Sequence, residues 1–173
     1  ARAGDAEVMA VVKADAYGHG LVPSARAALR GGATWLGVAQ LPEAMALREA
    51  GVTAPLLSWL HVPGQDFAPA VQAGIDLGLS TTWALDQTLA AVSATGRTAR
   101  VHLKVDTGLG RNGAWDADLE ALLAGLATAQ AEQAVEVVGL FSHFAYADAP
   151  QHPTVKAQQE RFEGILEQAA RAG

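Results

Sequence analysis

The chain has 173 residues, half of them hydrophobic, and carries a formal net charge of −6. This length suffices for one domain with a substantial core, and the modest, dispersed charge argues against nucleic acid as a partner. The chain contains no cysteine, which excludes disulfides and thiolate metal sites. No apolar stretch approaches the roughly 20 residues of a membrane-spanning helix. We therefore expect a cytoplasmic protein with no membrane partner.

Six short apolar runs with the composition of β-strands recur along the chain. They occupy residues 8–13, 35–39, 56–60, 76–80, 101–105 and 137–142. The alanine-rich stretches between them are predicted to be helices, and four of these stretches stop at a glycine. The four glycines are Gly31, Gly51, Gly74 and Gly96. Apolar strands that alternate with helices predict a parallel sheet covered by helices on its faces.

The positions of unusual side chains help to choose the architecture. Lys13, residues 104–111 and His143 lie at or just past the ends of the first, fifth and sixth predicted strands. Barrel enzymes build active sites from the C-terminal ends of several strands, whereas a doubly wound sheet concentrates ligands at one switch point. We therefore predict an α/β fold, a (β/α)8 TIM-type barrel. Only about six βα units are present, so the predicted barrel is incomplete.

Lys13 is the first candidate for chemistry. It follows an apolar strand and precedes a glycine-rich turn that contains Tyr17 and His19. An amine in such a position is partly desolvated, and a neutral amine is what condenses with an aldehyde. A lone lysine at a strand end is more often a surface residue. The complete run over residues 10–20 favours the reactive amine instead.

Lys104 is the second candidate. His102, Lys104 and Asp106 alternate with apolar residues, so they share one face of the fifth strand. In a barrel this face lines the interior, where a lysine is costly unless it is paired or chemically modified. Asp106 is the available ion-pair partner, and the sequence leaves both possibilities open.

Residues 108–113 form a literal G-x-G-x-x-G, and Glu132 follows at about the distance expected of a ribose-binding acid. Two features argue against a dinucleotide fingerprint. That fingerprint belongs in the first βα turn, whereas this segment follows the fifth strand. Arg111 also places a bulky cation between the glycines. We therefore interpret this segment as something other than a nucleotide site.

Three segments together are similar to the motifs of alanine racemases. They read Ala-Val-Val-Lys-Ala-Asp-Ala-Tyr-Gly-His-Gly at residues 10–20, His-Leu-Lys-Val-Asp-Thr-Gly-Leu-Gly-Arg-Asn-Gly at residues 102–113 and Gly-Leu-Phe-Ser-His-Phe-Ala-Tyr-Ala-Asp at residues 139–148. They occur in the family's order, and the resemblance runs through essentially the whole chain. It implies that residues 1–173 are part of a barrel domain that binds pyridoxal 5′-phosphate (PLP). We expect the chain to be truncated at both ends and to lack the family's C-terminal β domain.

The resemblance implies roles for five residues. Lys13 would form the Schiff base with PLP, and Tyr17 would contact the cofactor's phosphate. Lys104 matches a lysine that is typically carbamylated in the family and that fixes the residue matching Arg111. Arg111 would hold the cofactor's phenolic edge and the substrate carboxylate, and His143 would lie near the cofactor ring. Lys13, Lys104, Arg111 and His143 are thus the implied catalytic residues, and no spacing of acids or histidines predicts a metal site.

The implied activity is that of an isomerase that interconverts L- and D-alanine and supplies D-alanine for cell-wall synthesis. The family takes its second acid–base from a tyrosine of the partner subunit, which implies a homodimer. No segment here matches that tyrosine, so we expect the isolated chain to be inactive. Three alternatives remain: a non-catalytic PLP-homeostasis barrel, a PLP-dependent barrel decarboxylase and a serine racemase. The homeostasis proteins lack the Lys104 and Arg111 motif, and the decarboxylases lack the Lys13 motif.

Overall fold

Six parallel strands form one sheet in the order β1-β2-β3-β4-β5-β6 in the computed structural model, which describes residues 3–172. The strands are β1 (Met9–Val11), β2 (Trp35–Val38), β3 (Leu56–Ser58), β4 (Asp76–Leu79), β5 (Ala99–Lys104) and β6 (Val135–Phe141). Each neighbouring pair is parallel, so a crossover connects every strand to the next. The six predicted strands are confirmed, with ends that differ by at most two residues.

Helices follow the strands. They are α1 (Lys13–Gly18), α2 (Leu21–Arg30), α3 (Leu41–Glu49), α4 (Ala68–Gln72), α5 (Thr82–Thr95), α6 (Asp116–Ala131) and α7 (Pro153–Ala172). The predicted glycine stops are confirmed. Gly31 is the C-cap of α2, and Gly96 ends α5 in the left-handed conformation, with φ 65°. Gly51 and Gly74, one residue past the C-caps of α3 and α4, also have positive φ. This βα alternation is that of a partial TIM-type barrel, as predicted.

The hydrophobic core lies between the sheet and its helices. All four residues of β4 are buried, and Leu36 of β2 and Val101 of β5 are fully inaccessible. Leu47 of α3 and Leu122 of α6 are equally inaccessible and belong to the same cluster. Strands buried on both faces are characteristic of a parallel sheet with a helical layer.

Charged side chains occupy the inner face of the sheet near the strand starts. Asp76 Oδ1 lies 3.0 Å from Arg100 Nε, and Asp76 Oδ2 lies 3.0 Å from His102 Nε2. The His102 ring also contacts the Trp35 ring edge-on, with centroids 5.6 Å apart. Because β2 and β5 are not neighbours in the sheet, this contact crosses the inside of the curved sheet. In barrels this amino end contributes to stability.

Candidate active site

The five residues predicted from the sequence all lie at or just past the C-terminal ends of strands. Lys13 follows β1 by two residues, Tyr17 lies in α1 and Lys104 ends β5. Arg111 lies between β5 and α6, and His143 lies two residues past β6. Strand β1, predicted to reach Lys13, ends at Val11 instead, because the backbone turns away there.

Four of these side chains converge. Arg111 Nη2 lies 3.1 Å from His143 Nε2. An arginine can only donate, so the nitrogen of His143 accepts and its proton lies on Nδ1. The pKa of His143 is lowered by burial and by the nearby charges of Arg111, Lys104 and Lys13. His143 is therefore held neutral beside three cationic groups.

Tyr17, the fifth predicted residue, contacts this group of side chains only through Lys13 among the described residues. Its side chain is among the exposed large residues, at 80%, and its ring centroid lies 5.5 Å from Lys13 Nζ. This contact places the Tyr17 ring beside the amine.

The backbone after Lys13 takes an unusual form. Residues 14–17 have φ between 50° and 55° and ψ between 34° and 47°, which is a left-handed helical turn of four residues without a glycine. The left-handed conformation costs roughly 1–2 kcal/mol for each such residue. A turn of this kind persists only where surrounding contacts determine it.

Two carboxylates anchor this turn. Glu43 Oε1 accepts a hydrogen bond of 2.6 Å from Ala14 N, and Asp15 Oδ1 accepts one of 2.6 Å from Leu21 N at the start of α2. Glu43 Oε2 also accepts bonds from Ala39 N and Gln40 N at the start of α3. The Glu43 carboxylate thus joins the loop after β2 to the residue that follows Lys13. No local pattern in the sequence predicts this longer contact.

Lys104 is buried, at 4% exposure. Burial, followed by the charge of Arg111, lowers its pKa to about 8, although Asp106 opposes the shift. Its Nζ lies 5.9 Å from the centroid of the Phe141 ring. Among residues 3–172 no ion pair joins Lys104 to Asp106. The Asp106 carboxylate instead accepts hydrogen bonds from Gly108 N and Gly110 N, so the ion-pair alternative is wrong.

The glycine-rich segment 108–113 folds back along its own strand. Ala114 N donates to Lys104 O at 2.9 Å, and Asp106 N donates to Ala114 O at 3.0 Å. Gly113 has φ 139°, and a Cβ there would collide with Asp106 N and the Val105 carbonyl. The glycine is therefore required by the returning loop that carries Arg111.

Trp59, just past β3, fills the space inside the sheet. A Cβ at Gly37 of β2 would lie 2.9 Å from its ring, and one at Gly78 of β4 would lie 2.8 Å from its Cβ and 3.2 Å from the Phe141 ring. These glycines leave room for the aromatic side chains beneath Lys13, Lys104, Arg111 and His143, which together are called the basic cluster. From the sequence, Trp59 ends the third predicted strand, where a tryptophan could line a pocket but is more often a core residue.

Among the described residues 3–172, no group of three or more His, Cys, Asp or Glu side chains is arranged to hold a metal ion. In the same part of the chain, no helix has both the length and the apolar character that a membrane crossing requires.

Comparison with known proteins identifies the family. A family model described as alanine racemase, N-terminal domain, matches residues 1–173. The alanine racemase of Frankia casuarinae is 61% identical over 173 residues, which are 100% of this chain and 45% of the relative. That of Thermobifida fusca is 52% identical over 172 residues, which are 99% of this chain and 46% of the relative.

Solved structures agree. The alanine racemase of D-cycloserine-producing Streptomyces lavendulae superposes with a TM-score of 0.96 at 49% identity, over 99% of this chain and 45% of that one. The Bacillus anthracis alanine racemase, solved with bound L-Ala-P, gives a TM-score of 0.85 at 34% identity, over 98% of this chain and 43% of that one. The chain thus spans less than half the length of these relatives. It belongs to the alanine racemase family and corresponds to the N-terminal domain of that family.

Proposed function

We propose that this chain is the PLP-binding barrel segment of an alanine racemase, an isomerase that interconverts L- and D-alanine. The observation that carries the proposal is the convergence of Lys13, Lys104, Arg111 and His143 at the carboxyl ends of β1, β5 and β6. Barrel enzymes place their catalytic groups at this end. Family membership supports the same reaction.

The chemistry of the cluster fits PLP. Lys13 and Arg111 contribute positive charge next to His143, and the nearby Asp106 is engaged by backbone N–H groups. The cluster therefore suits a ligand that carries a phosphate and a phenolic oxygen. When bound, PLP supplies an electron sink that makes the α-proton of an amino acid removable.

Each residue has a proposed role. Lys13 Nζ would hold the cofactor covalently and would remove or return the α-proton on one face of the substrate. Tyr17 would contact the phosphate. The planar guanidinium of Arg111 would bind the cofactor's phenolic oxygen and the substrate carboxylate. His143, which accepts from Arg111, would lie beside the cofactor ring and orient Arg111.

The proposal extends to the complete enzyme. We propose that this enzyme is a cytoplasmic homodimer in which the partner subunit provides the second acid–base. Its product, D-alanine, would be used for the cell wall. The relatives reported above are alanine racemases, which supports alanine over serine as the substrate. The same names favour the racemase over the PLP-homeostasis barrel and the barrel decarboxylase.

Cofactor capture by the purified chain tests this function. On addition of PLP we expect a visible absorbance band, and borohydride reduction should fix one cofactor on the peptide that contains Lys13. The chain has three lysines, Lys13, Lys104 and Lys156, so peptide mass analysis distinguishes the sites directly. Equal labelling of all three lysines would contradict a dedicated site. Because the proposed second acid–base lies outside this chain, we expect no racemisation of L-alanine, and measurable turnover would contradict that assignment.

We propose that Lys104 is carbamylated. At constant bicarbonate, formation of a carbamate from an ammonium group releases a proton, so the carbamate fraction rises with pH until the amine's pKa is passed. With a pKa lowered to about 8, the ¹³C carbamate signal of Lys104 in ¹³C-bicarbonate should rise with pH and level off above about 8.

Two lysine variants provide the comparison for this titration. Lys104→Ala should remove the signal, and Lys156→Ala, which alters an exposed side chain of α7, should leave it intact. A signal that persists in Lys104→Ala would show that another amine carries the carbamate.

A further inference from the structure

Gln158 of α7 is a buried polar residue to which the proposed function assigns no role. It is 1% exposed and is one of two buried residues of that helix, the other being Ile165. A buried side-chain amide is unfavourable unless its donors and acceptor are all satisfied. The identity of its partners therefore indicates why the residue lies there.

Gln158 bonds to two different loops. Its Nε2 donates to Thr107 Oγ1 and to His143 O, both at 3.1 Å, and its Oε1 accepts from Ala145 N at 2.8 Å. Thr107 lies in the loop after β5, and the other two residues lie in the loop after β6. Both amide donors and the acceptor are thus used, and each bond is made to one of these two loops.

The hydroxyl groups between the loops fix the direction of these bonds. Ser142 Oγ donates to Val105 O at 2.9 Å, so its single proton is committed. Thr107 Oγ1 must then donate to Ser142 Oγ, 2.8 Å away, and can only accept from Gln158. The arrangement therefore needs a neutral amide at residue 158, since neither a carboxylate nor an apolar side chain could donate there.

The same two loops carry Arg111 and His143. Both side chains are exposed, so the 3.1 Å contact between them depends on the relative placement of the loop backbones. We propose that Gln158 is a positioning residue: by bonding Thr107 on one loop and the His143 carbonyl on the other, it sets the approach of Arg111 to His143. This role rests on the function proposed above for those two side chains.

The test measures the coupling between Arg111 and His143 without any cofactor. The titration of His143 is followed by NMR among the five histidines of the chain, with His143→Asn for assignment. In the native chain, Arg111→Gln removes a nearby cation and should raise the pKa of His143. In the Gln158→Met background we expect this rise to fall to less than half its native size.

Gln159 offers a matched control, because it is the adjacent glutamine, is exposed and bonds through its side chain to Glu163 in its own helix. Gln159→Met should leave the coupling unchanged. Where Gln158→Met fails to fold, as judged by near-UV circular dichroism, Thr107→Val replaces it. That variant removes the bridging hydroxyl with little change of shape and should give the same loss of coupling.

Full native coupling in either folded variant would overturn the proposal. Because the titration uses the chain without PLP, its outcome is independent of whether the chain captures the cofactor. A failed cofactor test and a failed positioning test can therefore be told apart.

Discussion

Lys13→Ala is expected to abolish the capture of PLP, whereas Lys156→Ala should capture it as the native chain does. The reason lies in the accessibility of the three amines. Lys13 is half-buried at the edge of the basic cluster, Lys104 is buried below Arg111, and Lys156 is exposed on α7 next to Glu160. Only Lys13 combines access to a ligand with the surrounding positive charge that retains an anionic cofactor.

Borohydride reduction followed by mass analysis measures this capture. Lys13→Arg is the sharper variant, because it keeps the positive charge but cannot condense with an aldehyde at neutral pH. We expect it to bind PLP reversibly, with no labelled peptide after reduction. Undiminished labelling of the chain in Lys13→Ala would assign the anchor to another amine and would remove the basis of the proposed mechanism.

Glu43→Ala is expected to weaken capture strongly although Glu43 touches no part of the basic cluster. The carboxylate holds Ala14 N and with it the left-handed turn after Lys13. A hydrogen bond to a charged group contributes about 2 kcal/mol, which corresponds to about thirtyfold in the equilibrium constant between the held and the released turn. The apparent affinity for PLP should fall by up to about thirtyfold, because the competent conformation is populated less.

Asp66→Ala is the matched control for this prediction. Asp66 Oδ1 accepts from Ala68 N at the start of α4, so Asp66→Ala removes a carboxylate hydrogen bond at a helix start that does not involve the turn after Lys13. We expect Asp66→Ala to lower the free energy of unfolding by about 1 kcal/mol and to leave the capture of PLP unchanged. Glu43→Gln keeps one acceptor oxygen and should fall between the native chain and Glu43→Ala. Equal capture by Glu43→Ala and Asp66→Ala would mean that Glu43 serves only as a helix cap.

The fold could be predicted from sequence because its signals are local. Apolar runs bounded by Gly31, Gly51, Gly74 and Gly96 specify strands and helix ends within a few residues. The basic cluster could also be placed, since parallel strands bring their carboxyl ends to one edge, and Lys13, Lys104 and His143 each lie at or just past such an end.

The remaining features depend on contacts that no local pattern encodes. Ala-Asp-Ala-Tyr at residues 14–17 contains no glycine, so nothing in it predicts a left-handed turn. Its acceptor, Glu43, lies 29 residues away, and Gln158 lies 51 residues from Thr107. A buried glutamine and an exposed one are indistinguishable in the sequence until the helix is packed. Spacing alone also allows an ion pair between Lys104 and Asp106, but the returning loop instead bonds to Asp106 Oδ1 through Gly108 N and Gly110 N.

The Phe141 ring links two charged regions on the inner face of the sheet. It lies 6.4 Å from the His102 ring and 5.9 Å from Lys104 Nζ, with Trp59 nearby. Because an aromatic ring lowers the local dielectric and does not screen charge, the groups around Asp76 are not electrically independent of Lys104. A substitution at the amino end that moves Phe141 would therefore also change the surroundings of the amine at the opposite end.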